Sequence, residues 1–294
     1  MTGHIMITGI GRPAGTSAVT YFRRNGVPVI GTDIREVETQ VESFYVIPPA
    51  GDPLFAPTLL GIIRKERPSL LIPTVSEELP VISRLKKAIE REGCTVLISP
   101  PAAVDIANDK LKTAMIMSVH GIPVPVSFDD KTSREFIVRE LGFPLLSKPR
   151  IGRGGGGVTL YYNLEELFQD TRTGLIFQEF IPGEEFGVNL FIDPEEETIT
   201  GVVLEKILLK EGITGNAIAV ERVEREDLVQ LGAKAAHVLA MEGPVDMDIR
   251  LRWDGTPVLL EINARLGENV LSAEEVLVGL FVAWEKKERI GVSL

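Results

Sequence analysis

Asp248, Glu261, Asn263 and Arg265 are the residues whose types and spacing most readily do chemistry in this chain. They fall within Asp246 to Arg265, DMDIRLRWDGTPVLLEINAR, which reads as a β-hairpin. Alternating residues run up to Trp253, Asp254-Gly255 turns, and Pro257 to Ile262 runs back. Glu261 and Asn263 are two apart, so on a strand they face one side. Asp248, on the outgoing strand, can lie opposite them, with Arg265 on the same face. Three hard oxygen donors suit Mg²⁺ or Mn²⁺, and Mg²⁺ usually comes with the phosphates of a nucleotide. A surface hairpin with scattered acids is the plainer alternative, but Leu259-Leu260 and Ile262 bury the strand that carries Glu261 and Asn263.

A second group lies upstream. The apolar run FPLLSK, residues 143–148, reads as a strand that delivers Lys148 to its end, beside Pro149. Gly152-Arg153-Gly154-Gly155-Gly156-Gly157 follows. So many glycines are too flexible to serve packing, and their bare amides can wrap a polyphosphate. The run lacks the GxxxxGK[ST] pattern, which excludes a P-loop NTPase. A flexible hairpin tip is the alternative.

Positioning these groups requires a scaffold. Residues 4–9 read as a strand, 11–15 as a turn, 17–25 as a helix and 27–33 as a second strand. Gly9, Gly11 and Ala14 have GxGxxA spacing, and Asp33 ends strand two, as in a dinucleotide-binding fingerprint. A tight first turn needs glycine in any doubly wound domain, so nicotinamide binding is the lesser reading. A helix at 52–65 precedes the buried strand 70–72, and Pro73 to Glu78 follows it. Loops after strands of an open α/β sheet face the ligand crevice, so Glu78 can reach a substrate amine or hydroxyl. The favoured reading has Ser76 capping the next helix, with Glu77 and Glu78 in its first turn. That helix spans 79–92, and a strand at 95–99 completes the unit near Pro100-Pro101.

Helices are then expected at 102–106, 110–120, 133–141, 164–170, 225–241 and 272–287. Strands are expected at 143–148, 158–162, 175–180, 186–192 and 201–208, with a loop at 212–215. His120 and His237 sit on expected helices and read as structural, and Cys94 as a buried strand start. The 294 residues suggest two or three domains, and 44% hydrophobic content is ample for packed cores. A formal net charge of −11 argues against general nucleic-acid binding while allowing a local basic pocket. A single cysteine excludes an internal disulfide and points to a reducing, cytoplasmic setting. No apolar run is long enough to span a bilayer, and the N-terminus lacks a signal-peptide pattern.

With these residues in hand, the chain resembles the ATP-grasp superfamily, particularly its carbamoyl-phosphate-synthase-like and amino-acid-ligase branches. The likeness covers nearly the whole chain. It rests on the α/β start, Lys110 after an N-D pair, Lys148 in a K-P pair, the glycine run 152–157, the QEFIPGEE segment 178–185 and the EINAR strand 261–265. It implies an α/β and α+β architecture: a Rossmann-like pre-ATP-grasp domain at 1–101, then an ATP-grasp fold of two subdomains. These are a small lid subdomain at 102–177 and a large subdomain with the metal site at 178–294.

Residue by residue, the resemblance implies that Lys110 and Lys148 contact nucleotide phosphates. Gly152, Arg153, Gly154, Gly155, Gly156 and Gly157 would form the lid over the β- and γ-phosphates. Gln178, Glu179, Phe180 and Ile181 would meet adenine, and Glu185 the ribose hydroxyls. Asp248, Glu261 and Asn263 would hold the metal, and Arg265 would be the catalytic arginine near the transferred phosphoryl group. A lysine is a point charge able to meet phosphate, and a carboxylate accepts two hydroxyl protons. Two departures stand out. Leu266-Gly267-Glu268-Asn269 replaces a more glycine-rich run and sets the acid Glu268 beside the phosphoryl site, and Asp248 stands where Gln or Glu is frequent. The short remainder after Arg265 sets an expectation against the biotin-carboxylase branch.

The expected activity is an ADP-forming ligase that activates a carboxylate as an acyl phosphate for attack by an amine. Its cofactors would be ATP and Mg²⁺ (or Mn²⁺). Its partners would be small-molecule carboxylates and amines, with no nucleic acid, no membrane, and a homodimer as an option. Glu78 and Glu268 are the candidate substrate residues. Phosphorylation of bicarbonate or carbamate, and an ATP-binding regulatory protein without turnover, stay open as alternatives.

Overall fold

Short apolar runs buried on both faces belong inside a parallel sheet, and the first third of the chain has this pattern. A computed structural model describes residues 3–152, 156–212 and 214–291. Its first sheet contains β1 (Ile5–Thr8), β2 (Val29–Asp33), β3 (Ser43–Val46), β4 (Leu70–Ile72) and β5 (Thr95–Val96). All are parallel, in the order β3-β2-β1-β4-β5. The connecting helices are α1 (Pro13–Arg24), α2 (Phe55–Glu66) and α3 (Leu79–Arg91). Every residue of β1, β2 and β4 is buried. The strand expected at 95–99 is only two residues long.

Two helices, α4 (Pro101–Ala107) and α5 (Lys110–Val119), then lead into a four-stranded antiparallel sheet. It contains β6 (Ser127–Asp129), β7 (Leu145–Pro149), β8 (Thr159–Tyr161) and β9 (Leu175–Glu179), in the order β6-β9-β7-β8. Helices α6 (Arg134–Leu141) and α7 (Leu164–Gln169) cover it, capped by Ser133 and Asn163. This sheet has its own apolar cluster, built around Tyr161, Leu167 and Phe177.

The third sheet is antiparallel, in the order β12-β11-β10-β13-β14. Its strands are β10 (Glu185–Ile192), β11 (Ile199–Leu209), β12 (Ala217–Val223), β13 (Gly243–Leu251) and β14 (Pro257–Asn263). Helix α8 (Glu226–Val238) and the closing α9 (Glu274–Gly291) complete the chain. The fold class is therefore the expected mixture of parallel α/β and antiparallel α+β layers. Three strands were not foreseen, and the first of them, β3, is a partly buried edge strand of the parallel sheet. β6 has only three residues, and β12 is an edge strand whose polar and apolar residues are mostly exposed, with Ile218 at 63%. Neither carries the burial signal that marks an inner strand. No helix among the described residues is long and apolar enough to cross a membrane.

The first and third sheets share their cores. One cluster joins Met6 and Leu71 to Val188, Met247 and Ile262; the other joins Ile5 and Phe22 to Leu277 and Trp284. Gly243 marks a close approach between the two units. Its φ is +75°, and a Cβ built there would lie 2.5 Å from the carbonyl oxygen of Leu97. We expect Gly243→Ala to cost about 1–3 kcal/mol, from overpacking against backbone and from left-handed strain. Chemical denaturation measures it; an unchanged midpoint would show that the junction can relax.

Candidate functional site

Alternation along three adjacent strands builds the floor of the site. In the antiparallel register Gly187 faces Asp248, which faces Glu261, and Asn189 faces Asp246, which faces Asn263. Glu185 faces Arg250 in the next row. These rows lie on one side of the sheet because successive residues of a row-forming strand are two apart. A bulge between Asp248 and Ile249 leaves Leu260 unpaired on β14. It shifts the strand's phase, so that Glu261 and Val258, three apart, both pair with residues of the Asp248–Arg250 face. The facing of Asp248 and Glu261 expected from the hairpin is thus met in the register, with an extra residue that the pattern did not reveal.

The lysines arrive from the other wall. Asp109 caps α5 through the Lys112 amide at 3.1 Å. The same carboxylate takes two hydrogen bonds from the Arg150 guanidinium, at 2.8 and 2.8 Å. The Lys110 amide donates to the Arg150 carbonyl at 3.1 Å. The N-D-K and K-P-R segments are therefore clamped together, which brings Lys110 and Lys148 into one cleft. Lys110 Nζ donates to the Gly152 carbonyl at 2.6 Å and lies 3.1 Å from Glu261 Oε1. Lys148 is buried. Burial pushes its ammonium down to about 8, opposed by Glu261 and reinforced by Lys110.

At the far end, Gln178 donates to Ser127 Oγ at 2.8 Å, and Glu179 is held by Arg252, which keeps its carboxyl below the usual range. Arg250 binds Glu185 at 2.7 Å and the Ile181 carbonyl at 3.0 Å. Lys206 Nζ, on β11, bridges Glu185 and Asp248 at 2.6 Å each. Its burial alone would lower its pKa, but pairing with Asp248 and Glu185 wins and raises it. Asp246 moves the other way: loss of solvent, then the neighbouring Asp248, push its carboxyl up to about 7 against the pull of Arg265.

Arg265 is buried, and its Nε donates to Ser76 Oγ at 3.0 Å, with further bonds to the Leu266 carbonyl and Asn263 Oδ1. This corrects the capping expectation. Ser76 orients the arginine, α3 has no side-chain cap and no acid in its first turn, and Glu77 and Glu78 precede the helix. Glu268 lines the main cleft and accepts from Asn216 Nδ2 at 2.9 Å. Glu78 does not reach it. It is buried in a separate cavity of about 120 Å³, with Arg12, Asp33 and Glu77, at the carboxyl ends of the inner strands β1, β2 and β4. There Asp33 accepts the Gly11 and Ile34 amides, at 3.0 and 2.8 Å, one on each carboxylate oxygen.

Most of the expected residues converge on the main cleft, whose cavity volume is about 150 Å³. Gly152 and Gly156 line it; Gly157 and Phe180 do not. Gly157 turns at φ +79° beside Pro149, and Phe180 lies under the Arg250 guanidinium at 5.9 Å. Arg153, Gly154 and Gly155 lie outside the described residues. Sequence reading missed Asp109, Arg150, Asn189, Lys206, Asp246, Arg250 and Arg252. The alternation DMDIRLR carried a signal for Asp246, Arg250 and Arg252; for Lys206 there was none.

The donor set fits an oxygen-loving divalent cation. Among the described residues no three His, Cys, Asp or Glu form a metal cage. Two carboxylates and an amide oxygen in neighbouring rows match a Mg²⁺-type ion that takes its other ligands from phosphate and water. The ammoniums of Lys206 and Lys110, against Asp248 and Glu261, mark where positive charge belongs.

A parallel sheet is joined to two antiparallel sheets, and a cleft lined by lysines and acids lies between the latter. A family model described as ATP-grasp domain matches residues 107–268, more than half of the chain, and the chain belongs to that family. Among curated proteins it is 24% identical, over 96% of its length, to the carbamoyl phosphate synthase large chain of Methanospirillum hungatei, of which it covers 28%. The chain spans about a quarter of the length of such relatives. Among solved structures it resembles N5-carboxyaminoimidazole ribonucleotide synthetase from Thermotoga maritima, with TM-score 0.66, 21% identity and coverage of 90% of this chain and 68% of that one. It also resembles L-amino acid ligase from Bacillus licheniformis, with TM-score 0.70, 20% identity and coverage of 92% and 68%.

Proposed function

We propose that the chain is an ADP-forming, ATP-dependent carboxylate–amine ligase. The observation that carries this reading is the facing pair Asp248 and Glu261, in one cleft with Lys110, Lys148 and Arg265. ATP lies with its phosphates against the two lysines and Gly152 and Gly156, its ribose toward Glu185 and its adenine between Gln178 and Ile181. The four-stranded unit, which runs to the end of β9 at Glu179 rather than to the expected boundary at 177, acts as the lid on the unit built on the third sheet, and the parallel unit at 1–101 flanks the acceptor end. Asp248, Glu261 and Asn263 would hold Mg²⁺ or Mn²⁺, which would supply positive charge to offset that of the phosphates.

A carboxylate oxygen attacks the γ-phosphorus, the bond to the ADP oxygen breaks, and an acyl phosphate forms. Arg265, fixed by Ser76 and the Leu266 carbonyl, stabilises charge on the transferred group without having to reorganise. An amine nitrogen then attacks the acyl carbon and phosphate leaves, with loss of one proton from nitrogen. The likeness to an L-amino acid ligase supports this chemistry.

The carbamoyl phosphate synthase relatives favour a second reading, phosphorylation of bicarbonate or carbamate. Product analysis separates the two. With Mg²⁺, ATP and a panel of carboxylate and amine pairs, we expect ADP and phosphate, and hydroxylamine in place of the amine should trap a hydroxamate. AMP and pyrophosphate as main products would sink the acyl-phosphate route. ATP hydrolysis driven by bicarbonate alone, with no hydroxamate from any carboxylate, would select the second reading.

A further inference from the structure

Lys206 stands on β11, paired with Val220 of the edge strand β12, and lines the main cleft. Its side chain does not stop at the neighbouring strand. It donates to Glu185 Oε1 on β10 and to Asp248 Oδ1 on β13, at 2.6 Å each, and so spans three strands. Gly187 makes that reach possible. It lies on β10 opposite Asp248, and a Cβ built there would already meet Lys206 Cε at 3.8 Å. A side chain larger than alanine's would occupy the path of the ammonium. Burial opposes the charge of Lys206, but Asp248 and Glu185 outweigh it, so the group stays an ammonium.

Pairing by itself is a weak reason to bury a lysine. Ordering the side chain costs entropy, dehydrating it costs more, and a buried ion pair returns little net stability. Glu185 is in any case held on its other oxygen by Arg250, at 2.7 Å. An ammonium has three N–H donors, and the two carboxylates take two of them. The side chain is 11% exposed, which leaves the third donor a way into the cleft.

The two acids that Lys206 joins mark the ends of a short path. In the ligase reading Glu185 faces the ribose, and Asp248 faces the metal at the β- and γ-phosphates. The covalent order of a nucleotide puts one group between those points, the α-phosphate. Its oxygens are charged acceptors, the natural partner for an ammonium donor. Lys110 serves a different place, since its Nζ lies against Gly152 and Glu261 on the other wall.

We propose that Lys206, reaching across Gly187, binds the α-phosphate, so that the chain recognises its nucleotide from the monophosphate upward. This rests on the ligase reading of the cleft and adds to it a contact on the nucleotide. The ammonium is already oriented by Glu185 and Asp248, so the contact forms with little further ordering.

The test is a set of dissociation constants for adenosine, AMP, ADP and ATP, measured by calorimetry on the full chain with Mg²⁺ present. In the wild type AMP should bind at least about tenfold tighter than adenosine. Lys206→Met should weaken AMP, ADP and ATP alike by about 10–100-fold, the range for one charge-assisted hydrogen bond, and leave adenosine unchanged. The substitution also strips Asp248 of its partner, and a bare carboxylate repels phosphate. The double variant Lys206→Met/Asp248→Asn removes that charge, and the loss of AMP affinity should persist in it. If Lys206→Met does not fold, the double variant alone makes the comparison. AMP no tighter than adenosine in the wild type, a loss confined to ADP and ATP, a loss shared by adenosine, or AMP affinity restored in the double variant would each overturn the inference and leave the ligase reading standing. A wild type that binds none of the four would overturn the ligase reading, and this inference with it.

Discussion

Replacing Glu261 by Gln should lower ADP-forming turnover by about 10²–10³-fold, with a much smaller change in nucleotide affinity. The reason is local. Glu261 is one of two carboxylates that face each other across the hairpin, and its oxygen lies 3.1 Å from Lys110. Gln keeps the shape and one acceptor oxygen but removes the charge that a divalent cation and Lys110 both need as phosphoryl charge shifts. In the proposed reading many other groups would hold the nucleotide, so binding should survive. Single-turnover rates and nucleotide titrations on the same preparation separate the two effects. Unchanged turnover in Glu261→Gln would reduce the hairpin to a structural element.

Lys148→Met should weaken binding of Mg²⁺-ATP at pH 7 by about 10–100-fold, the range for losing one charge-assisted hydrogen bond. The wild type should show a pH signature that the variant lacks. The Lys148 ammonium is lowered from 10.5 to about 8 in the folded chain, so above that pH the phosphates must recruit a proton on binding. Affinity should then fall by about tenfold per unit above pH 8, levelling off where the bound form loses its own proton. Stability of the ligand-free chain carries the opposite sign. A lysine whose folded pKa is depressed binds fewer protons when folded than when unfolded between about 8 and 10.5. Its contribution to stability therefore rises with pH across that window, and its full penalty is present below it. Lys148→Met should flatten both dependences. Binding isotherms between pH 7 and 9.5 decide the first, and denaturation midpoints over the same range the second. A wild-type affinity independent of pH would place the titrating ammonium away from the phosphates.

Sequence by itself determined a good part of the site. The two-residue spacing of Glu261 and Asn263, the Asp-Gly turn and the apolar residues between them specified a half-buried hairpin, because strand alternation is a local property. The glycine run and the strand ending at Lys148 were equally local. Ser76 was misread because its helix-start pattern is genuine, yet a buried guanidinium 189 positions away took the hydroxyl instead. Lys206 could not be found at all. Its only distinction is that β11 pairs beside β10, which sets its ammonium between Glu185 and Asp248.

Tertiary structure alone decided three further matters. The clamp of Asp109 on Arg150 joins segments 41 residues apart and sets the two lysines side by side. The bulge at Leu260 fixes which side chains of β14 share a face with Asp248. The parallel unit and the third sheet share cores, so that Ser76 meets Arg265. Residue types and short spacings record what a segment can do. Long-range pairing, bulges and the competition among hydrogen-bond donors are settled only when the segments meet, because the energies that choose between them belong to pairs far apart in the chain.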